Sequence, residues 1–164
     1  MPLDTDPIAQ AARAWTAHGW DDAAPGMAAV TSLMRAQQIV LARVEATLRP
    51  YGVTFARYET LMLLRFSRRG QLPMSTISQR LQVHQSSVTN AVDRLEAAGL
   101  VARSPHPEDR RTTLVALTTA GHELTDKATE AVNRDVFNSL GLTRRDTTDL
   151  TRILATLRRS AGDF

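Results

Sequence analysis

The sequence has no cysteine among its 164 residues, which excludes disulfides, cysteine-ligated zinc and thiol chemistry. Aromatic residues are scarce at 5%, and no run of eighteen apolar residues occurs, so no transmembrane helix is predicted. The first ten residues, MPLDTDPIAQ, contain acids and no apolar run, which predicts no signal peptide. These absences predict a cytoplasmic protein with no membrane partner.

Motifs of the common enzyme classes are absent as well. The four histidines are scattered without HExxH or another metal-ligand spacing. The chain contains no glycine-rich phosphate loop and no GxSxG nucleophile motif. We therefore expect a protein that is not an enzyme and that binds no cofactor or metal.

Positive charge is concentrated in one segment, although the whole chain carries only +3. Between Arg65 and Arg111 there are eight arginines and four acids, so this segment carries +4 and the rest of the chain about −1. A basic segment in an almost neutral chain favours a polyanionic partner such as nucleic acid.

The spacing of apolar residues predicts a mainly α-helical chain with a small β-hairpin. Helices are predicted at 7–19, 27–49, 54–68, 75–82, 85–98, 119–140 and 143–160. Thr54 and Ser75 are predicted N-caps, and Gly99 is predicted to end the helix at 85–98. Residues 100–104 and 112–118 read as two strands around an arginine-containing turn.

Two short helices joined by a tight turn at 82–84, with a hairpin behind them, form a winged helix-turn-helix. The fold class is therefore mainly α with a small β-hairpin wing. The predicted division is an extra N-terminal helix and linker (1–26), a DNA-binding lobe (54–118), and dimerisation helices from both ends of the chain (27–53 and 119–164).

The second short helix begins with short polar side chains and no acid until Asp93. Its core stripe is Val88, Ala91, Val92, Leu95 and Ala98. A recognition helix needs short donors and acceptors near its N-terminus to read base edges in the major groove. The alternative is an ordinary solvated helix face.

Particular roles follow from side-chain chemistry. Asn90 is suited to adenine, Arg94 to guanine or a phosphate, and a wing arginine to a narrow minor groove. The alternative for the wing arginines is an ion pair with Asp109 that stiffens the turn. The predicted DNA-binding residues are Ser75, Gln85, Ser86, Ser87, Thr89, Asn90, Arg94, Arg110 and Arg111.

The segment RLQVHQSSVTNAVDRLEAAGLVARSPHPEDRRTTLVALT resembles the core of the MarR family of bacterial transcription regulators, with VTNAVDRLEAAGLV and DRRTTLVALT as its signatures. The likeness extends over about residues 27–160. It implies a homodimer that binds double-stranded DNA at an inverted-repeat operator. It also implies a repressor released by a small ligand bound between the dimerisation and DNA-binding parts.

The N-terminal helix is similar to that of a MarR subgroup that senses urate or citrate- and aconitate-type anions. In the urate pattern Trp15 matches a tryptophan, Glu59 stands at an aspartate position, and Arg103 matches an arginine. Ala91 replaces a second arginine, so the resemblance implies a carboxylate anion, with Tyr58 also at the site. The alternatives are that Trp15 is a packed aromatic and that Arg103 pairs with Glu59.

His84 stands where the family often has serine or another good N-cap. We expect Ser86 to cap the helix and His84 to lie at the surface. The alternative hypothesis is that titration of His84 changes DNA binding, because a charged ring is unfavourable at a helix N-terminus yet attracted to phosphate.

A winged helix used for contact with proteins or RNA is the rival function. Such a module has no reason to keep residues 83–90 free of acids with arginines on the hairpin, so charge favours DNA.

Overall fold

The computed structural model describes residues 4–109 and 111–164. The helices are α1 (Pro7–Ala17), α2 (Ala24–Leu48), α3 (Phe55–Arg65), α4 (Met74–Leu81), α5 (Gln85–Ala97), α6 (Thr119–Asp135) and α7 (Arg144–Ser160). The strands are β1 (Gln71–Pro73), β2 (Val101–Pro105) and β3 (Thr113–Leu117). The predicted fold, mainly helical with a small wing, is confirmed.

The three strands form one antiparallel sheet in the order β1-β3-β2. The predicted hairpin is present, with Val101 opposite Leu117 and Pro105 opposite Thr113. The remaining strand of the sheet, β1, was not among the strands predicted from the sequence. It pairs Leu72 with Val115, and so joins the start of α4 to the wing.

The core lies where α3, α5 and α6 meet the sheet and the end of α2. The stripe of α5 follows the prediction at Val88, Val92 and Leu95, which are at most 1% exposed. Ala98 is an exception and is exposed, because the helix already ends at Ala97. The largest fully buried side chains are Leu48, Leu61, Leu64, Ile77, Leu95, Val88, Val92, Val115, Val132, Val136, Thr60 and Thr125.

Gly99 closes α5 as predicted. Its φ is +70°, a conformation that glycine adopts without steric cost. The Gly99 N–H donates to Glu96 O and the Leu100 N–H to Leu95 O, which is the Schellman arrangement. This closure turns the chain directly into β2.

Of the N-caps predicted at Thr54 and Ser75, only the first is confirmed. The Thr54 hydroxyl accepts from Arg57 N at 3.4 Å, and Thr143 forms a capping box with Asp146 at the start of α7. The prediction that Ser75 caps α4 is wrong, because Pro73 already occupies the N-cap position where β1 runs into the helix. Ser75 instead lies exposed in the first turn.

Two helices leave apolar side chains in solvent. The first part of α2 and one face of α7 are exposed, and among the described elements α7 packs extensively against none. The exposed residues are Val30, Leu33, Met34, Ile39, Val40 and Leu41 on α2, and Leu150, Ile153 and Leu157 on α7. Both helices belong to the predicted dimerisation parts, 27–53 and 119–164.

Candidate nucleic-acid interface

The turn between α4 and α5 lies at Gln82–His84, as predicted. Gln82 adopts a left-handed conformation with φ of 54°, and the Ser78 hydroxyl donates to Val83 O at 2.7 Å. The Gln82 amide also donates to Asp163 O at 3.1 Å, just after α7. The turn that orients α5 is therefore held from α4 and from the end of the chain.

His84, not Ser86, is the N-cap of α5. The His84 Nδ1 atom accepts from Ser86 N at 3.2 Å and lies 2.8 Å from Ser86 Oγ. The expectation that Ser86 caps the helix is therefore wrong. Because the cap needs an unprotonated Nδ1, protonation there would break it. The hypothesis that His84 titration affects DNA binding stays a prediction, which an unchanged pH dependence of binding in His84→Gln would contradict.

The predicted DNA-binding side chains on α5 are all exposed. They lie on both flanks of the helix. One flank borders a cavity of about 460 Å³ between α5 and the wing, lined by Met74, Ser75, Gln85, Thr89, Arg103, Arg111, Thr112 and Thr113. Four predicted residues, Ser75, Gln85, Thr89 and Arg111, therefore come together there.

The other flank faces α3 across an open groove of about 730 Å³. Its lining residues are Thr54, Ala56, Arg57, Ser86, Ser87, Asn90, Ala91 and Arg94. Four of these were predicted to bind DNA, and none of the eight is acidic. Arg57 was not predicted, because only the packing of α3 on α5 brings it beside the recognition residues.

Arg103 from β2 binds two carboxylates of α5. Its Nη2 atom lies 2.6 Å from Asp93 Oδ1, and its Nη1 atom lies 2.5 Å from Glu96 Oε2. The Arg103 backbone N–H also donates to Glu96 Oε1 at 3.1 Å. Burial by itself lowers the pKa of Arg103, but the hydrogen bonds to Asp93 and Glu96 outweigh burial and raise that pKa. We refer to these three residues as the Arg103 clamp.

The wing turn is organised by Asp109. Its carboxylate accepts from Arg111 N at 3.0 Å and from the Thr112 hydroxyl at 2.7 Å. Two hydrogen bonds lower the pKa of Asp109; the bond from the Thr112 hydroxyl has the larger effect and the bond from the Arg111 N–H the smaller one. Asp109 therefore accepts from the Arg111 backbone, and within the described part of the turn no ion pair joins it to the Arg111 side chain. The prediction for Arg110 falls outside the described residues.

Within one chain, the four predicted ligand residues contact different neighbours. Trp15 packs edge-on against Trp20 with ring centroids 5.2 Å apart. The buried Tyr58 hydroxyl lies 3.0 Å from Thr129 Oγ1, and burial raises the pKa of Glu59. Among the described residues, no hydrogen bond or ion pair joins Trp15, Tyr58, Glu59 and Arg103 to one another. Pairing of Arg103 with Glu59 is wrong, because Asp93 and Glu96 occupy its guanidinium.

Known proteins with a similar sequence and fold are transcriptional regulators. The MarR family model matches residues 54–113. Sco5413, a MarR family transcriptional regulator from Streptomyces coelicolor, is 48% identical, with a TM-score of 0.77 over 85% of this chain and 97% of that one. This chain belongs to the MarR family of transcriptional regulators.

Two further regulators are also similar to this chain. Sco3205 from Streptomyces coelicolor, solved in complex with DNA, is 26% identical with a TM-score of 0.71, over 80% of this chain and 84% of that one. The Escherichia coli regulator PapX is 36% identical over 83 residues, which are 51% of each chain. The chain thus spans about half the length of the first curated relatives it matches.

No helix among residues 4–109 and 111–164 has the length and hydropathy needed to cross a lipid bilayer.

Proposed function

We propose that two copies of this chain bind an inverted-repeat operator in double-stranded DNA and repress transcription until a small anion releases them. The observation that carries this proposal is the exposed first half of α5, which presents Gln85, Ser86, Ser87, Thr89 and Asn90 without an acid. Such a surface suits base edges in the major groove. The wing, with Arg111 exposed, lies beside it and suits the minor groove.

The exposed apolar faces of α2 and α7 support pairing with a second copy. Nine large apolar side chains there are between 37% and 63% exposed, and apolar side chains exposed in such number on two helices suit an interface. A twofold dimer places two α5 helices in successive major grooves, about 34–36 Å apart. Sedimentation of the parent and of Ile153→Asp tests this pairing, and a monomeric parent at micromolar concentration would contradict it.

Selection from random duplex DNA tests the function itself. An enriched inverted repeat with half-sites about ten base pairs apart is the expected result. Asn90→Ala should relax base preference at one position of each half-site. Equal competition by RNA, or no enriched sequence, would favour the rival function of a winged helix that contacts proteins or RNA.

The effector proposal is a small anion, either a carboxylate of the citrate or aconitate type or a urate-like anion, acting through Arg103 together with Trp15, Tyr58 and Glu59. Since Arg103 already binds Asp93 and Glu96, an anion that took Arg103 would release both carboxylates on the recognition helix. The anion would then bind the state in which Arg103 has left Asp93 and Glu96 more tightly than the state in which it pairs with them. This difference in affinity is what allows the anion to change DNA binding. Citrate titrated into the operator complex should release the DNA, and unchanged binding up to millimolar citrate would contradict the choice of this anion.

A further inference from the structure

The groove between α3 and α5 contains Arg57, a basic side chain that has no part in the proposed reading of bases by α5. Arg57 lies at the α3 side of this groove, and Asn90 and Arg94 lie at the α5 side. The residues between them are small, namely Ala56, Ala91 and two serines. The groove is therefore open, basic and bordered by the same side chains that are proposed to read bases.

The Arg57 guanidinium is held in place from one side only. Its Nε atom donates to the Thr54 hydroxyl at 3.1 Å, and its Nη1 atom donates to Gly52 O at 3.3 Å. In the described part of the chain, no hydrogen bond or ion pair uses its Nη2 atom. Both acceptors are neutral, so the charge of Arg57 is not compensated as that of Arg103 is.

A half-buried arginine that is oriented by neutral acceptors, uncompensated in charge and open to solvent on one edge is suited to a phosphate. Because Arg57 lies beside α5, the phosphate that it could reach is one of the DNA backbone. When a recognition helix enters the major groove, the sugar–phosphate backbone runs along the edge of that helix. Arg57 lines the groove beside α5, where such a backbone would run.

We infer that Arg57 binds a backbone phosphate of the operator and so fixes the depth and register of α5 in the major groove. This assignment rests on the proposed function. Arg57 is then a positioning residue, because phosphate contacts orient a protein on DNA without reading its sequence. Base preference is left to Asn90 and Arg94.

The test uses the full-length protein and the operator obtained by selection. Arg57→Gln removes the charge but keeps an amide that can reach Thr54, and Arg145→Gln is the matched control. Arg145 is 92% exposed on α7, so its removal changes the net charge equally. Affinity is measured by fluorescence anisotropy across a range of salt concentrations, and thermal unfolding checks that each variant is folded.

The expected result is a smaller salt dependence for Arg57→Gln. The slope of log K against log salt should fall by about 0.9 for each phosphate that the variant no longer neutralises, or roughly 1.8 for a dimer on two half-sites. The control should keep the slope of the parent. Base preference from a second selection should be the same in parent and variant.

A chemical arm locates the contacted phosphate on the operator. Single backbone phosphates of the operator are replaced by neutral methylphosphonates, and each duplex is titrated with parent and with Arg57→Gln. The parent should lose affinity at one position per half-site where the variant loses none, while both respond alike elsewhere. This non-additivity identifies the phosphate that Arg57 binds.

Other outcomes overturn the assignment. An unchanged salt slope with the same methylphosphonate profile in parent and variant would show that Arg57 touches no DNA phosphate. If Arg57→Gln instead abolishes competition by inorganic phosphate without changing the slope, the groove binds a free anion. A parent that prefers no duplex overturns the proposed function and this assignment together.

Discussion

The Arg103 clamp should hold the recognition helix against the wing, and Arg103→Met tests it. Methionine keeps the apolar stem but removes both ion pairs, so the local charge changes from −1 to −2. Arg103 is 24% exposed, and its partners Asp93 and Glu96 are 57% and 39% exposed. Partly exposed pairs contribute at most about 1 kcal/mol each. The expected decrease in the free energy of unfolding is therefore about 1–2 kcal/mol.

The same free energy bounds the effect on DNA binding. If the operator requires α5 and the wing in their clamped arrangement, binding must restore that arrangement at a cost of up to about 1–2 kcal/mol. This corresponds to roughly a 5- to 30-fold decrease in affinity. Repulsion alone predicts less, because one added charge about 10 Å from a phosphate costs roughly 0.1 kcal/mol after screening at 0.15 M salt.

A triple variant separates the two explanations. Asp93→Asn and Glu96→Gln added to Arg103→Met remove the repulsion but do not rebuild the clamp. Operator affinity, measured by anisotropy, should stay reduced in the triple variant. Full recovery, or a decrease below threefold in Arg103→Met itself, would refute the positioning role. Arg152→Met is the control, because its pair with Asp149 is well exposed on the polar face of α7.

Three further predictions concern stability. Gly121→Ala should lower the free energy of unfolding by more than about 2 kcal/mol in urea titrations, because an added Cβ would lie 2.0 Å from Leu100 O. Gly26→Ala has open space and should be neutral or stabilising, and equal costs at both glycines would contradict the packing argument. Burial raises the pKa of Glu59, so the folded state holds the Glu59 proton more tightly than the unfolded state does. The parent should therefore lose stability relative to Glu59→Gln as pH rises above 4.5. A stability difference that does not change with pH would contradict this. Thr143→Ala removes the cap of α7 and should cost about 1 kcal/mol in thermal unfolding, whereas an unchanged melting temperature would show that α7 needs no cap.

Local sequence signals predicted most of the fold. The positions of Val88, Val92 and Leu95 follow from helical periodicity alone, and Gly99 marks the end of their helix because the backbone there needs a positive φ. The cap at Thr143 is likewise encoded within four residues. These features depend on residues that are close together in the sequence, which is why they could be predicted without the structure.

Features that depend on packing could not be predicted in this way. The pairing of Arg103 with Asp93 and Glu96 was not predicted, because it forms only when the strand that follows Gly99 folds back along α5. Arg57 had no signal in the sequence, because its relation to α5 arises from the contact between two helices. The three residues of β1 were too few to show an alternating pattern, and their partner strand lies about forty residues further on.

The hydrogen bond from Gln82 to Asp163 has a genetic consequence. Gln82 keeps a side chain where the backbone conformation favours glycine. Its contact ties the turn before α5 to the segment after α7, which Arg158 closes by pairing with Asp163. Screens for loss of regulation should therefore return alleles at the end of α7 as well as in α5. Second-site suppressors of those alleles should cluster in the turn at residues 82–84.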